Sequence, residues 1–534
     1  MTMNLLRRVP LIISLAALTV LAGMVPAVAV TGKQSAAPAV ATTGMPVRSC
    51  ESLTALGVPN TKVDSATTVA ATSSVPGYCD VQLTVNNPPS TDAVNVGVFL
   101  PMSTWNGRFE GVGGGVYETG DPSAPDSTAL QAGYATAATD GGHANTFTNT
   151  LFGAFALNPD NTLNTQLIND FSFIGIHEMT TTAKAVIAAY YGTGPRYSYF
   201  NGCSTGGRQG LMEAQRYPAD YNGIAAGSPA INWTKFIPSE LWPELVMLQS
   251  HDFLPSCKEQ AFTNAVIAAC ADASGVIENP AACHWNPFRL VGEDTPCGTI
   301  TPTDAAVVEK IWDGPIVDGK HLWYGLEPGA SLLGLAATTT SNGTTGPSAF
   351  PVSVGWFQYW LTQNPNFNWE TLTYQQFVQY FNQSVSEWAD TIATDNPNLS
   401  AFERDGGKIL IWHGLADQLI FPQGTINYYQ RVQDTLGAAN TATFARLFLA
   451  PGAQHCTAAA GPAPTNLLQS VVNWVEHGQA PATLPASGGS TNHSPQLCMY
   501  PYMSTYVSGD PNNGSSYACV RLTPGKQRQL TALY

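Results

Sequence analysis

Gly202-Cys203-Ser204-Thr205-Gly206 is the stretch that decides the fold. It follows the strand-like run Tyr197-Ser198-Tyr199-Phe200 and leads into a helical pattern over residues 208–216. A serine between two glycines, at a turn from strand to helix, is the G-x-S-x-G elbow that lifts a hydroxyl above a sheet. The expected class is therefore α/β, with the α/β-hydrolase fold. Two cysteines strengthen the reading: Cys203 immediately precedes Ser204, and Cys456 immediately follows His455. A disulfide needs Cα atoms about 4.4–6.8 Å apart. A Cys203–Cys456 bridge would therefore hold Ser204 beside a base drawn from the far end of the chain.

The surrounding pattern supports a sheet. Residues 94–100 alternate as a strand, residues 108–112 read as another, and Gly113-Gly114-Gly115 follows. A third strand over 134–139 ends at Asp140-Gly141-Gly142-His143, and residues 177–191 form a helix with apolar Met179, Ala183, Val186, Ile187 and Tyr190. After Gly227-Ser228-Pro229-Ala230 the rhythm breaks. Residues 230–404 are rich in Trp, Tyr, Phe, Asn and Pro and hold four cysteines. Strand and helix return at 408–412, 424–436 and 445–449. The expected organisation is a hydrolase domain in two parts, 44–229 and 405–534, interrupted by a lid domain over 230–404.

The N-terminus reads as an address. Arg7 and Arg8, an apolar core over 11–21 and Ala27-Val28-Ala29 form a signal peptide over residues 1–29. Residues 30–43, rich in Ala, Thr and Pro, read as a disordered spacer. Export implies a secreted protein, and in an oxidising compartment ten cysteines favour disulfides over zinc. Cys50 and Cys79 bracket a short loop that such a bridge would close. Net charge is −15 and charged residues make up only 11% of the chain, which argues against nucleic acid as a partner. No later segment is apolar enough to span a membrane.

Serine is a poor nucleophile until a base takes its proton and an acid orients that base. In the α/β-hydrolase order the acid follows a late strand and the histidine comes after it. Asp417, in His413-Gly414-Leu415-Ala416-Asp417, and His455, in Pro451-Gly452-Ala453-Gln454-His455-Cys456, occupy those places. The oxyanion donors expected are the backbone N–H of Thr205 and those of Gly114 and Gly115. His143 reads as a support for the site, whereas His177 and His413 read as structural. The glycine run is not a phosphate loop, because no Lys-Ser or Lys-Thr follows it.

These motifs closely resemble the tannase/feruloyl esterase family, which includes the mono(hydroxyethyl) terephthalate hydrolases. The similarity runs through Cys50-Glu51-Ser52-Leu53, Trp105-Asn106-Gly107-Arg108-Phe109, Gly133-Tyr134-Ala135 and the run from Gly202 to Gly210. It continues through Asp220-Tyr221-Asn222-Gly223-Ile224-Ala225-Ala226-Gly227, 406–417, 451–456, and Cys498 with Cys519. The resemblance implies a secreted carboxylic ester hydrolase whose triad is stapled by its Cys-Ser and His-Cys motifs. It also implies bridges Cys270–Cys283 and Cys498–Cys519, leaving Cys257 with Cys297. The family's calcium loop is degraded here: Ala271 and Ser274 stand where carboxylates are expected, and Asp272 is the one weak metal candidate. No cofactor is expected.

The leading functional expectation is a feruloyl (hydroxycinnamoyl) esterase. The alternatives are a tannase or an aryl or terephthalate monoester hydrolase, and, more remotely, an inactive secreted binding protein. The partner expected is a small aromatic ester, free or attached to plant polysaccharide or tannin. Trp356-Phe357-Gln358-Tyr359-Trp360, with Phe367 and Trp369, is either a platform for the aromatic acyl group or core. Tyr324, Glu327 and Arg404 are weaker candidates for substrate contact.

Overall fold

Nine strands form the central sheet of the computed structural model, which describes residues 44–88, 90–489 and 496–533. The signal peptide and spacer expected over residues 1–43 lie outside the described residues. The strands are β1 (Thr61–Val69), β2 (Tyr78–Val85), β3 (Val94–Pro101), β4 (Arg108–Val112), β5 (Ala135–Thr139), β6 (Tyr197–Cys203), β7 (Gly223–Gly227), β8 (Lys408–Gly414) and β9 (Ala445–Ala450). Their order across the sheet is β1-β2-β3-β5-β4-β6-β7-β8-β9. The first three strands and β5 are joined by antiparallel ladders, and every ladder from β5 onward is parallel.

Burial explains the sequence patterns. β5 and β7 are buried at every residue and β8 at all but its first. Parallel strands covered on both faces read as continuous runs of small and apolar residues. β2 instead alternates half-buried with buried, as an antiparallel strand wet on one face does. β1 is the polar edge, Thr-rich and carrying Lys62 and Asp64, which blunts it against strand addition. The Cys50–Cys79 bridge ties the turn before β1 to β2.

Helix α1 (Gly175–Tyr191) packs Met179, Ala183, Val186, Ile187 and Tyr190 into the core on the sheet. Helix α2 (Thr205–Arg216) leaves β6. Between β7 and β8, which pair in register from Gly223↔Lys408 to Gly227↔Trp412, runs a segment of helices and short hairpins. It includes α3 (Trp233–Glu240), α4 (Ser256–Cys270), α5 (Pro302–Asp313) and α6 (Tyr374–Ile392), and it contains the bridges Cys257–Cys297 and Cys270–Cys283. This segment shares a second aromatic core with Tyr117, Phe155 and Phe171. Trp356, Phe357 and Trp360 lie inside it at 0% exposure, and Trp356 Nε1 donates to Ser384 Oγ at 2.9 Å. The aromatic run is core, not an open platform, because its rings are consumed by neighbouring rings such as Trp388 and Tyr117. Beyond β8 lies α7 (Pro422–Leu436), and Cys498–Cys519 closes the C-terminal part.

Candidate active site

Ser204 sits between β6 and α2 at φ 62°, ψ −126°. A residue other than glycine pays roughly 1–3 kcal/mol to stay in such a region, so the surroundings must impose it. Ser204 N donates to Gly227 O, and Arg208 N and Ala230 N both donate to Ser204 O, each at 3.0 Å. The flanking glycines are forced by contact: a Cβ on Gly202 would lie 2.6 Å from Gly206 C, and one on Gly206 would lie 3.2 Å from Gly114 O. The turn is strained, and it is locked.

Asp417, on the loop after β8, is fully buried. Its Oδ1 accepts from Leu419 N and Ile420 N, both at 2.9 Å, while its Oδ2 meets His455 Nδ1 at 2.8 Å and His413 Nε2 at 3.0 Å. Burial pushes its pKa up, but the two histidines more than offset this and hold it well below the usual carboxylate range. His413 was expected to be merely structural, yet it touches the acid directly. Its Nε2 also faces Ile420 O at 3.2 Å, so that nitrogen carries a proton, and Nδ1 pairs with Thr425 Oγ1 at 2.9 Å.

His455 follows β9. Its N–H donates to Gln418 Oε1 at 3.1 Å, and Ala416 N donates to Ala453 O at 2.9 Å, so its loop is laced to the Asp417 loop. Burial lowers the pKa of the ring and the Asp417 carboxylate raises it, with a net shift upward. The Cys203–Cys456 bridge, Cα–Cα 6.0 Å, joins this loop to the elbow. Ser204 and His455 border one cavity of about 300 Å³, walled by Trp233, Phe236, Ile237, Phe350, Val352, Leu419 and Ile420.

The oxyanion candidates separate. Thr205 and Gly115 border this cavity and Gly114 does not. Gly114 N–H donates to Gln209 Oε1 at 3.0 Å, so it is already spent, and the expectation for Gly114 is corrected. That glycine is needed for packing, since a Cβ there would lie 2.2 Å from Glu118 O; at Gly115 a Cβ would meet nothing. Gln209 Nε2 donates to Thr119 O at 3.0 Å, so one side chain clamps both ends of the glycine loop. His143 adds support from behind: it is buried, meets Tyr117 O through Nε2 at 2.9 Å, and burial pushes its pKa down to about 4.

Arg208, one turn after the nucleophile, is wholly buried with no carboxylate beside it. Its guanidinium donates to Ser172 O (2.9 Å) and Phe171 O (3.1 Å) and lies over the rings of Phe171 and Trp233. Burial alone lowers its pKa to about 9. Sequence reading noticed it only as part of a motif.

Tyr324 and Glu327 border a different cavity of about 440 Å³, with Trp285 and Trp312, and Arg404 bonds Ser400 Oγ at 3.3 Å. At the degraded loop, Asp272 Oδ1 accepts from the amide and hydroxyl of Ser274, and Glu278 accepts from Tyr506 N. Calcium takes about six to eight oxygens, and these two carboxylates, with Asp272 Oδ2 buried and unpartnered, fall short of that demand. Among the described residues the one trio with metal-like spacing is His177, Glu213 and Asp220, where His177 Nδ1 already holds Asp220 Oδ2 at 2.6 Å.

The family model of tannase and feruloyl esterase matches residues 79–520. The chain belongs to this family. A relative from Arthroderma benhamiae, named "Probable feruloyl esterase", is 40% identical over 481 residues, covering 87% of each chain. The mono(2-hydroxyethyl) terephthalate hydrolase of Piscinibacter sakaiensis is 29% identical, over 85% of this chain and 87% of its own. Among solved structures, tannin acyl hydrolase from Aspergillus niger superposes with a TM-score of 0.80 at 23% identity, covering 89% of this chain and 94% of that one. Feruloyl esterase B from Aspergillus oryzae gives 0.75 at 25% identity, covering 88% and 99%. The protein is thus an α/β-hydrolase and a carboxylic ester hydrolase of aromatic esters.

Proposed function

We propose that this chain is a secreted serine feruloyl esterase that works through an acyl-enzyme. His455 Nε2 takes the Ser204 proton as Oγ attacks the ester carbonyl, and Asp417 holds Nδ1–H and stabilises the imidazolium. The N–H groups of Thr205 and Gly115 receive the oxyanion. His455 returns the proton to the departing alcohol, and water, activated by the same ring, releases the acid. Asp417, His413 and the loop hydrogen bonds fix the tautomer this requires. Five disulfides among the described residues support an oxidising compartment.

The lining of the cavity carries the choice of acyl group. Among the described residues it includes nine apolar side chains, Glu118 and Glu240, and no Lys or Arg. A terephthalate monoester brings a ring carboxylate that would meet no cation there, only acids. A trihydroxylated galloyl ring would waste most of its hydroxyls on the apolar wall. A hydroxycinnamoyl group, apolar along its length and uncharged, fits best, whether on a small alcohol, plant polysaccharide or tannin. The test is kcat/KM on methyl ferulate, methyl gallate and a terephthalate monoester, with fluorophosphonate labelling of wild type and Ser204→Ala. Methyl ferulate should lead and only wild type should label. A leading terephthalate ester would overturn the acyl assignment, and an unlabelled wild type would indicate an inactive binding protein.

A further inference from the structure

One face of α3 forms a wall of the Ser204 cavity. Trp233, Phe236, Ile237 and Glu240 recur at i, i+3, i+4 and i+7, and all four border the cavity. Three are apolar. The fourth is a carboxyl group only 2% exposed, whose Oε2 is sealed without a hydrogen-bond partner. Neither of its oxygens receives a hydrogen bond from a described residue. The nearby Tyr117 hydroxyl donates to Val352 O at 3.1 Å, so its proton is already used.

Three features favour the neutral form of this carboxyl. It is buried, no described Lys or Arg borders the cavity, and Asp417 repels a second charge, so its pKa lies well above the ordinary carboxylate value. It also closes the C-terminal end of α3, where the helix dipole disfavours an anion. A neutral carboxyl offers one O–H donor and a carbonyl acceptor. A buried group with this capacity and no partner among the described residues calls for one from elsewhere, and Glu240 borders the same cavity as Ser204.

We propose that Glu240 is a specificity-determining residue of the acyl site, its carboxyl group hydrogen-bonding a hydroxyl on the aromatic ring of the acyl group. This rests on the esterase reading above and sharpens it. The substrate class becomes hydroxylated aryl acids, with esters lacking the hydroxyl rejected because they leave Glu240 unpaired.

The test compares kcat/KM for methyl 4-hydroxycinnamate and methyl cinnamate in wild type, Glu240→Gln and Glu240→Leu. Sites that hydrogen-bond a substrate hydroxyl reject the analogue without it by up to about 10⁴–10⁵-fold, whereas apolar pockets separate such pairs by about 10²-fold at most. Wild type should favour the hydroxylated ester by about 100-fold or more. Glu240→Gln, which keeps a donor and an acceptor, should retain most of that preference. Glu240→Leu should bring the pair close to parity. Parity in wild type overturns the proposal, as does a Glu240→Leu variant that slows both esters equally. If Glu240→Leu does not fold, the preference of wild type and Glu240→Gln decides: a preference kept in both supports the proposal, and its loss in either defeats it. The hydroxycinnamoyl reading is scored separately. If benzoate-type esters prove the better substrates, methyl 4-hydroxybenzoate against methyl benzoate replaces the pair, and parity there defeats the role of Glu240 whatever the preferred acyl chain.

Discussion

Replacing Cys203 and Cys456 together by alanine should damage catalysis more than stability. The bridge closes a loop of 253 residues, and the chain-entropy model assigns such a loop about 5.5 kcal/mol at 25 °C. The Cys257–Cys297 bridge shortcuts 40 residues of that loop, which trims the figure by only about 0.2 kcal/mol because the dependence is logarithmic. Unfolding entropy near 2.1 cal/mol/K per residue makes about 1 kcal/mol/K for a chain of this size, so Tm should fall by about 5 °C. The His455–Asp417 pairing should survive, because Ala416–Ala453 and His455–Gln418 hydrogen bonds lace those two loops together. Neither bond reaches the elbow. The distance left unguarded is the one between Ser204 and His455, and a slip of about 1 Å there costs about a hundredfold in rate. Calorimetry and kcat on methyl ferulate read the two effects separately. Lower Tm with unchanged kcat would refute the catalytic half of this reasoning, and no change in either would refute both halves.

Four further expectations rest on the described geometry. Because His455 must be neutral to act as base and its pKa is raised, kcat/KM should climb with pH through a midpoint above the ordinary 6.5; Asp417→Asn should lower that midpoint and cut turnover by on the order of 10⁴-fold. In stability the signs differ: the Asp417 contribution is present above its ordinary 3.8 and lost as pH falls through its depressed value, while that of His455 is present below 6.5 and lost as pH rises through its raised value, which acid and base melts of Asp417→Asn against wild type would check. Gln209→Leu frees the glycine loop without touching the triad, so kcat should fall by about tenfold or more with Tm nearly unchanged; a wild-type kcat would show the clamp to be idle. Chelator treatment should alter neither Tm nor rate, and a melting temperature restored by calcium would contradict this.

Most parallel strands were legible because burial on both faces writes itself as unbroken apolar or small-residue runs, as in Lys408–Gly414, although β7 was not read as a strand. The elbow was legible because contact forces its glycines. β1 and β2 were not foreseen: Thr61–Val69 is a polar edge, and its pairing with Tyr78–Val85 depends on partners distant from any motif. The segment between β7 and β8 was read by composition, so the four-residue stripe on α3 went unnoticed although its helical spacing stands in the sequence. Glycine content could mark the oxyanion loop but not which amide is free, because that depends on Gln209, ninety-five residues from Gly114. His413 looked structural since nothing local shows that it and His455 converge on one carboxylate oxygen.

Arg208 has a consequence for anyone who would graft a new acyl pocket onto this hydrolase. β7 and β8 pair as neighbours, so the intervening segment looks exchangeable at its two ends. The guanidinium of Arg208 contradicts that impression. It reaches from the helix behind Ser204 to the face of Trp233, and its carbonyl acceptors come from the turn before α1. A transplanted segment without an aromatic ring at position 233 would remove one of the two rings that cover this buried cation. The elbow, the turn at Phe171 and the first turn of α3 are therefore one inheritable unit, and successful chimaeras should exchange all three together.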